Sequence, residues 1–271
     1  MNKLILSQIF IYPIKSMAGI SIDSSNVIKT GLQNDRRWLL VDENNVFITQ
    51  RILPEMALIS TSIENNTIIL KHKTKKIKPI TIPAKINIGK KITIQIWKDF
   101  CHALHYNTNV DKWLCDIFKI KCKLVYMPDA TQRYVDKSYA HNNEVVSFAD
   151  GYPFLIIGQS SLDDLNNRLD IPLPINRFRP NFVFTGGNPF EEDKLKKIKI
   201  GEITFLVVKP CARCVITTTD QENTKRNNEP LLTLSSYRKE NNKVMFGQNL
   251  IQQNLGTISV GNEIIILERK N

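Results

Sequence analysis

"KPCARCVITTTD", residues 209–220, sets two thiols, Cys211 and Cys214, on either side of Ala212 and Arg213, with β-branched and hydroxyl residues behind them. Three kinds of chemistry use such a pair. A structural zinc site takes four ligands, as a rule from two such pairs. The other thiols, Cys101, Cys115 and Cys122, form no second pair in sequence. Cys115 falls inside a helical pattern and Cys122 opens a strand. His102 and His105 flank Cys101, but nothing brings that cluster to Cys211 and Cys214. A thioredoxin-type dithiol opens a helix whose N-terminus activates the first thiol. "ITFLVVKP" supplies the preceding strand, but "VITTTD" consists of strand formers, and Pro210 lacks a backbone donor. A strand–loop–strand hairpin remains, its tip presenting one thiolate to a soft metal. Arg213 would favour that thiolate and could reach a ligand's anion. The plain alternative is two buried structural cysteines.

The chain has 271 residues, room for one large or two ordinary domains. Its composition is that of a soluble globular protein. No apolar run approaches the roughly 18 residues of a membrane span. "MNKLILSQIFIYPIKS" is read as a first strand, since Ser7, Gln8 and Pro13 interrupt its apolar stretch. Five cysteines without framework spacing point to a reducing cytoplasm.

The net charge is +11, carried mostly by lysine. "KHKTKKIKPITIPAKINIGKK" (71–91) holds eight Lys and no acid. It suits either an acidic partner or a solvated hairpin. It lacks the interleaved aromatics of a single-strand binder, and helix-turn-helix or zinc-finger spacing is missing, which argues against nucleic acid. In so Lys-rich a chain, Arg36, Arg37, Arg51, Arg177, Arg179 and Arg213 gather in three short stretches. Arg offers a planar fork for phosphate or carboxylate that Lys lacks.

Most of the chain reads as strands. "RRWLLVDENNVFITQR" has a hairpin signature that would bring Arg36, Arg37 and Arg51 to one open end, where three cations want an anion. "ISVGNEIIIL" places a Gly261–Asn262 turn between two strands. Helical spacing appears in "NVDKWLCDIFKI" (Val110, Trp113, Leu114, Ile117, Phe118) and in "SSLDDLNNRL" (Leu162, Leu165, Leu169), the latter capped by Ser160 or Ser161. "PLLTLSSYRK" is a third helix after Pro230. A polar stretch after residue 126 divides the chain into 1–125 and 126–271.

"KPCARCVITTTD" resembles the core motif of the MOSC-domain family, named for the C-terminal domains of molybdenum cofactor sulfurases. "IYPIKSM", "DRRWLLVD" and "ITQR" resemble the N-terminal MOSC-associated domain. "SFADGYPFLI", "LNNRL", "NRFRPNFVF", "FGQNL" and "GTISVGNEI" follow in family order. The likeness covers nearly the whole chain. It is nearest to bacterial two-domain proteins that reduce N-hydroxylated bases and to the mitochondrial amidoxime reducing component. The fold implied is mixed α/β and mainly β: a MOSC β-barrel (126–271) packed against a strand-rich N-terminal domain (1–125).

The resemblance implies a molybdenum–molybdopterin cofactor. Cys214 becomes the metal ligand and Arg213 its neighbour on the substrate side, while Cys211 is supporting. Lys15, Ser16, Arg36 and Arg179 become anchors for phosphate and pterin. Asp150, Gly151 and Tyr152 wrap the pterin edge, Gly151 through its backbone. Arg51 and Arg177 are further candidates, or bridges between domains. Asn249 stands at the mouth, and Asp220 is either an acid or a structural cap. The implied reaction is a detoxifying two-electron reduction of the N–O bond in N-hydroxylated compounds. The chain ends without a plant-type iron–sulfur motif or a dinucleotide fingerprint. Electrons are therefore expected from a separate ferredoxin, flavodoxin or flavoprotein reductase. The alternative is a non-catalytic carrier of the cofactor or of sulfur.

Overall fold

A computed structural model describes residues 3–140 and 142–270. Seven strands close a barrel. Their order is Phe154–Gly158, Phe182–Thr185, Leu4–Ile11, Glu263–Arg269, Leu195–Ile200, Ile203–Ala212 and Lys243–Gln252, and the last pairs back to the first. Alternation along these strands turns Leu4, Leu6, Ile9, Ile198, Ile200, Ile203, Phe205 and Val207 into one core. Three aromatic rings, Phe154, Phe182 and Phe205, meet at 5.3–5.6 Å within it. Two short strands, Ile20–Ile22 and Lys239–Glu240, extend the barrel sheet, and the other strands form a four-stranded sheet and two three-stranded sheets. The chain is mainly β, with three α-helices among the described residues.

The first strand lies in the barrel beside Phe182–Thr185 and Glu263–Arg269. Gly256–Ser259 pairs instead with Ser24–Ile28. Sheet hydrogen bonds thus cross the 125/126 division in both directions.

Helix α1, Thr108–Phe118, is capped by the Asn107 side chain, which accepts from Asn109 N at 2.7 Å. It buries Val110, Leu114, Ile117 and Phe118 against the four-stranded sheet's second face. Helix α2, Gln159–Asn166, follows Gly158 directly, without the serine cap expected of it. The Ser161 hydroxyl donates instead to Glu192 Oε2 at 2.8 Å, because Glu192 is buried and itself takes the Gly158 amide. Leu169 falls beyond the helix end. Helix α3, Leu231–Tyr237, starts after Pro230.

Two hairpin expectations need correction. The Gly261–Asn262 turn exists, with Asn262 N donating to Ser259 O at 3.1 Å, but its flanking strands enter different sheets. The Asp42 carboxylate turns the chain at 42–46 by accepting from Asn44 N and Val46 N. The run after it makes single bridges, Val41 to Phe47 and Val46 to Gln95, and no full strand.

Candidate functional site: a cation-lined cleft with two thiols

The strand Ile203–Ala212 pairs with Lys243–Gln252 up to the Ala212–Met245 match. Register shifts at Val207/Lys209 and Pro210/Ala212 let Pro210 sit where its missing N–H does no harm. "VITT" was expected to return as a strand, but Val215–Thr218 coils into a 3₁₀ turn. The threonine hydroxyls decide this. Thr217 Oγ1 donates to Cys214 O and Thr218 Oγ1 to Val215 O, both at 2.9 Å, and these local bonds outweigh β propensity. Cys214 stands in extended conformation between strand and turn.

Its sulfur faces a cleft of about 820 Å³, open mouth included. Lys15, Ser16, Arg36, Asp150, Gly151, Tyr152, Arg179, Arg213 and Cys214 all line it. Sequence positions from 15 to 214 therefore converge on one space.

Lys15 is 5% exposed. Its ammonium donates to Phe148 O at 2.7 Å and Asp150 Oδ1 at 2.6 Å. Burial pulls its pKa down to about 8, against the pull of Asp150. Burial pushes the Asp150 carboxyl up, but Lys15, Arg51 and Arg36 outweigh it and hold it well below the usual range. The Asp150 side chain is 61% exposed, so water screens part of that attraction.

Arg36 and Arg179 hold their guanidinium groups 4.3 and 4.2 Å from the Tyr12 ring. Tyr12 has room because residue 19 is glycine; a Cβ there would lie 2.4 Å from the ring. Arg36 is spent on Asp35, Asn181 Oδ1 and Arg179 O. Arg179 has no such partners, and burial lowers its pKa to about 10.

Arg213 was expected beside the Cys214 sulfur. It turns the other way, donating to Cys211 Sγ at 3.0 Å and Phe178 O at 2.5 Å. Arg51, a weaker candidate in sequence, takes its place, with Nη2 3.3 Å from Cys214 Sγ. Arg37 leaves the cluster altogether, pairing with Met127 O and Asp129. Arg36 closes a turn in left-handed conformation, φ 48°, and the strand begins only at Trp38, so Arg36 and Arg37 leave the chain in different directions. Gly151 presents open space, with nothing within 4 Å of where a Cβ would stand. Tyr152 packs edge-on against Tyr139, and Asn249 lines the cleft while donating to Lys209 O.

Three buried guanidinium nitrogens on cleft residues have no acceptor: Arg51 Nη1, Arg179 Nη2 and Arg213 Nε. Among the described residues, Lys15, Arg36, Arg51, Arg179 and Arg213 line the cleft with Asp150 as its one carboxylate. The site is built for an anion.

Arg177 and Asp220 lie outside it, paired at 2.8 Å. Asp220 also takes the Glu222 and Asn223 amides, so it shapes the following loop. Cys115 and Cys122 do form a pair that their sequence spacing hid. Helix and strand bring their sulfurs to 3.6 Å, both as free thiols. Among the described residues, no three His, Cys, Asp or Glu side chains gather as a metal cluster.

A closed barrel whose rim carries two free thiols among five cations defines a β-barrel protein with a cation-lined cleft. The chain belongs to the MOSC family: residues 3–121 match the MOSC N-terminal beta barrel domain and 143–265 the MOSC domain. It is 31% identical to mitochondrial amidoxime-reducing component 1 of Mus musculus, over 97% of this chain and 82% of that protein. It is 30% identical to mitochondrial amidoxime reducing component 2 of Rattus norvegicus, over 96% and 82%. Molybdenum cofactor sulfurase of Arabidopsis thaliana is 31% identical over 89% of this chain, which spans 32% of that larger protein.

Proposed function

We propose that the cleft holds a molybdenum–molybdopterin cofactor and that the chain is a molybdenum-dependent reductase of N-hydroxylated compounds. The observation that carries this reading is a free thiol, Cys214, in a cleft whose lining arginines hold three buried guanidinium nitrogens lacking acceptors. A dianionic phosphate and a thiolate-bound metal would satisfy that donor set. The names of the amidoxime-reducing relatives support the same reaction class.

In this reading Cys214 Sγ is the metal ligand. Lys15, Ser16, Arg36 and Arg179 hold phosphate and pterin, with Asp150, Gly151 and Tyr152 along the pterin edge. The division 1–125 and 126–271 then separates the part lending Lys15, Ser16, Arg36 and Arg51 from the part lending Asp150, Arg179, Arg213 and Cys214. When bound, the cofactor supplies a two-electron reduction, in which two electrons and two protons turn an N–O bond into N–H and water. Arg51 holds the Cys214 sulfur in place. Burial brings the Lys15 pKa down to about 8, and its Nζ donates a hydrogen bond to the ionised Asp150. Electrons come from a separate ferredoxin, flavodoxin or flavoprotein reductase. Cysteine usage places the protein in the cytoplasm in this reading. No helix among the described residues is long and apolar enough to cross a membrane.

Equal identity to a molybdenum cofactor sulfurase favours a second reading, a non-catalytic carrier of cofactor or sulfur. Protein made in a host that synthesises the cofactor is assayed first for pterin and molybdenum. It is then given 6-hydroxylaminopurine and a chemical electron donor. Loading with turnover supports the reductase, and loading without turnover of any N-hydroxylated compound supports the carrier. Protein that takes up neither pterin nor metal rules out both.

A further inference from the structure

The turn between strands Lys90–Ile96 and Asp99–His105 carries Trp97 in left-handed conformation, φ 56°. A bulky residue seldom adopts that backbone without compensation. The turn is held on two sides. Gln95 Nε2 donates to Trp97 O at 3.1 Å. Asp99 Oδ2 accepts from Arg133 Nε at 2.7 Å. Arg133 is 5% exposed and spends its other nitrogens on Ser147 O, Ala149 O and Asp150 O at 2.6–3.0 Å. Lys15 takes Phe148 O from that same stretch. The segment 147–150 is thus gripped through all four of its carbonyls, and the turn is tied to this wall of the cleft.

The Arg51 guanidinium lies 4.4 Å from the Trp97 ring centroid. Phe47 packs edge-on against that ring at 4.6 Å and fixes its plane. Arg51 has no carboxylate partner among the described salt bridges, and its Nη2 stands 3.3 Å from Cys214 Sγ. A long, flexible cation with so few partners needs a surface that sets its orientation, and an aromatic face provides one.

We infer that Trp97 is a positioning residue of the cleft: its ring holds Arg51 against the Cys214 sulfur. The inference deepens the proposal above, in which Cys214 is the working sulfur. Its geometry can still be tested without any cofactor.

The test measures alkylation of Cys214 by iodoacetamide in cofactor-free protein at one fixed pH, read by peptide mass spectrometry with Cys211 as internal reference. Arg51→Ala and Trp97→Leu should change the Cys214 rate in the same direction. The Trp97→Leu change should be about three-fold, the factor that an exposed cation–π contact is worth. Trp97→Phe, which keeps an aromatic face, should restore the wild-type rate. The double variant should react like Arg51→Ala alone, since a residue acting through Arg51 has nothing left to act on. Melting curves establish that each variant is folded, and the Trp97→Phe comparison stands if Trp97→Leu is not. The inference is overturned if Trp97→Leu or Arg51→Ala reacts at the wild-type rate, if Trp97→Phe reacts like Arg51→Ala, or if the two single effects multiply in the double variant. Failure of the protein to take up molybdenum would defeat the proposed function and leave this measurement readable.

Discussion

Arg51 Nη2 stands 3.3 Å from Cys214 Sγ, although 163 residues of chain separate them. The two cysteines of the motif are thereby made unequal. Both line the cleft, but Cys214 meets Arg51 while Cys211 takes the Arg213 guanidinium. Cys214→Ser should fold normally and lose bound metal and reductase activity. Cys211→Ser keeps an acceptor for Arg213 and should retain both. Arg51→Ala removes a group that orients the ligand, so a loss of about 10- to 100-fold in activity or metal affinity is expected. Metal content and steady-state kinetics on the three purified variants check the ranking. A dead Cys211→Ser beside a working Cys214→Ser would reverse the assignment.

Lys15 gives the cleft a pH dependence. Its folded pKa is about 8, below the ordinary 10.5, so the folded chain releases this proton first. Burying the charged amine therefore costs stability below pH 8. That cost fades between pH 8 and 10.5, where the unfolded chain still holds its proton. Anion binding has the opposite trend, because it needs the charge that is being lost. Sulfate, whose own charge is constant over this range, should bind the cofactor-free protein progressively more weakly above pH 8. Lys15→Gln should bind weakly at every pH and show no step. Titration calorimetry from pH 7 to 10 measures both.

Arg179 is a buried cation with an orphaned Nη2, kept at a cost to the cofactor-free fold. Arg179→Met should raise the stability of that form by about 1 kcal/mol, as when buried charges give way to apolar groups. The same substitution should reduce cofactor retention. Denaturant unfolding and pterin content are expected to move in opposite directions; a variant both less stable and fully loaded would contradict the assignment.

Glu192 lies outside the cleft and serves the fold. Burial raises its pKa from 4.5 to about 7, against the Ser161 hydrogen bond. A folded value above the unfolded one means stability that is present below pH 4.5 and lost as pH rises through 7. Glu192→Gln should remove that loss, stabilising the protein at pH 8 by up to about 3 kcal/mol and leaving it little changed at pH 4. Thermal melts at the two pH values test this.

Much of the architecture was legible in the sequence because period-2 and period-3.6 patterning is local. The strand Ile203–Ala212 and the buried face of α1 follow from it. The nine residues expected at a site do line one cleft. Local chemistry misled where side chains bonded back to their own backbone, as Thr217 and Thr218 do in the turn after Cys214. It also misled where a distant group claimed a side chain. Ser161 went to Glu192 instead of capping α2, and Asp220 went to Arg177 and its own loop.

The sequence by itself determined which residue types are present: one CxxC, a lysine-rich surface, and arginines kept at a few short motifs. It determined the secondary structure wherever periodicity outran local competition. Only the tertiary structure decided which arginine meets which sulfur. Arg213 is adjacent to Cys214 in the chain, yet extended backbone points neighbouring side chains apart. The place beside Cys214 is filled by Arg51, set against Trp97 from a turn more than a hundred residues away. Such pairings depend on which loops the closed barrel and its neighbouring sheets bring to one rim, and linear spacing carries no record of that.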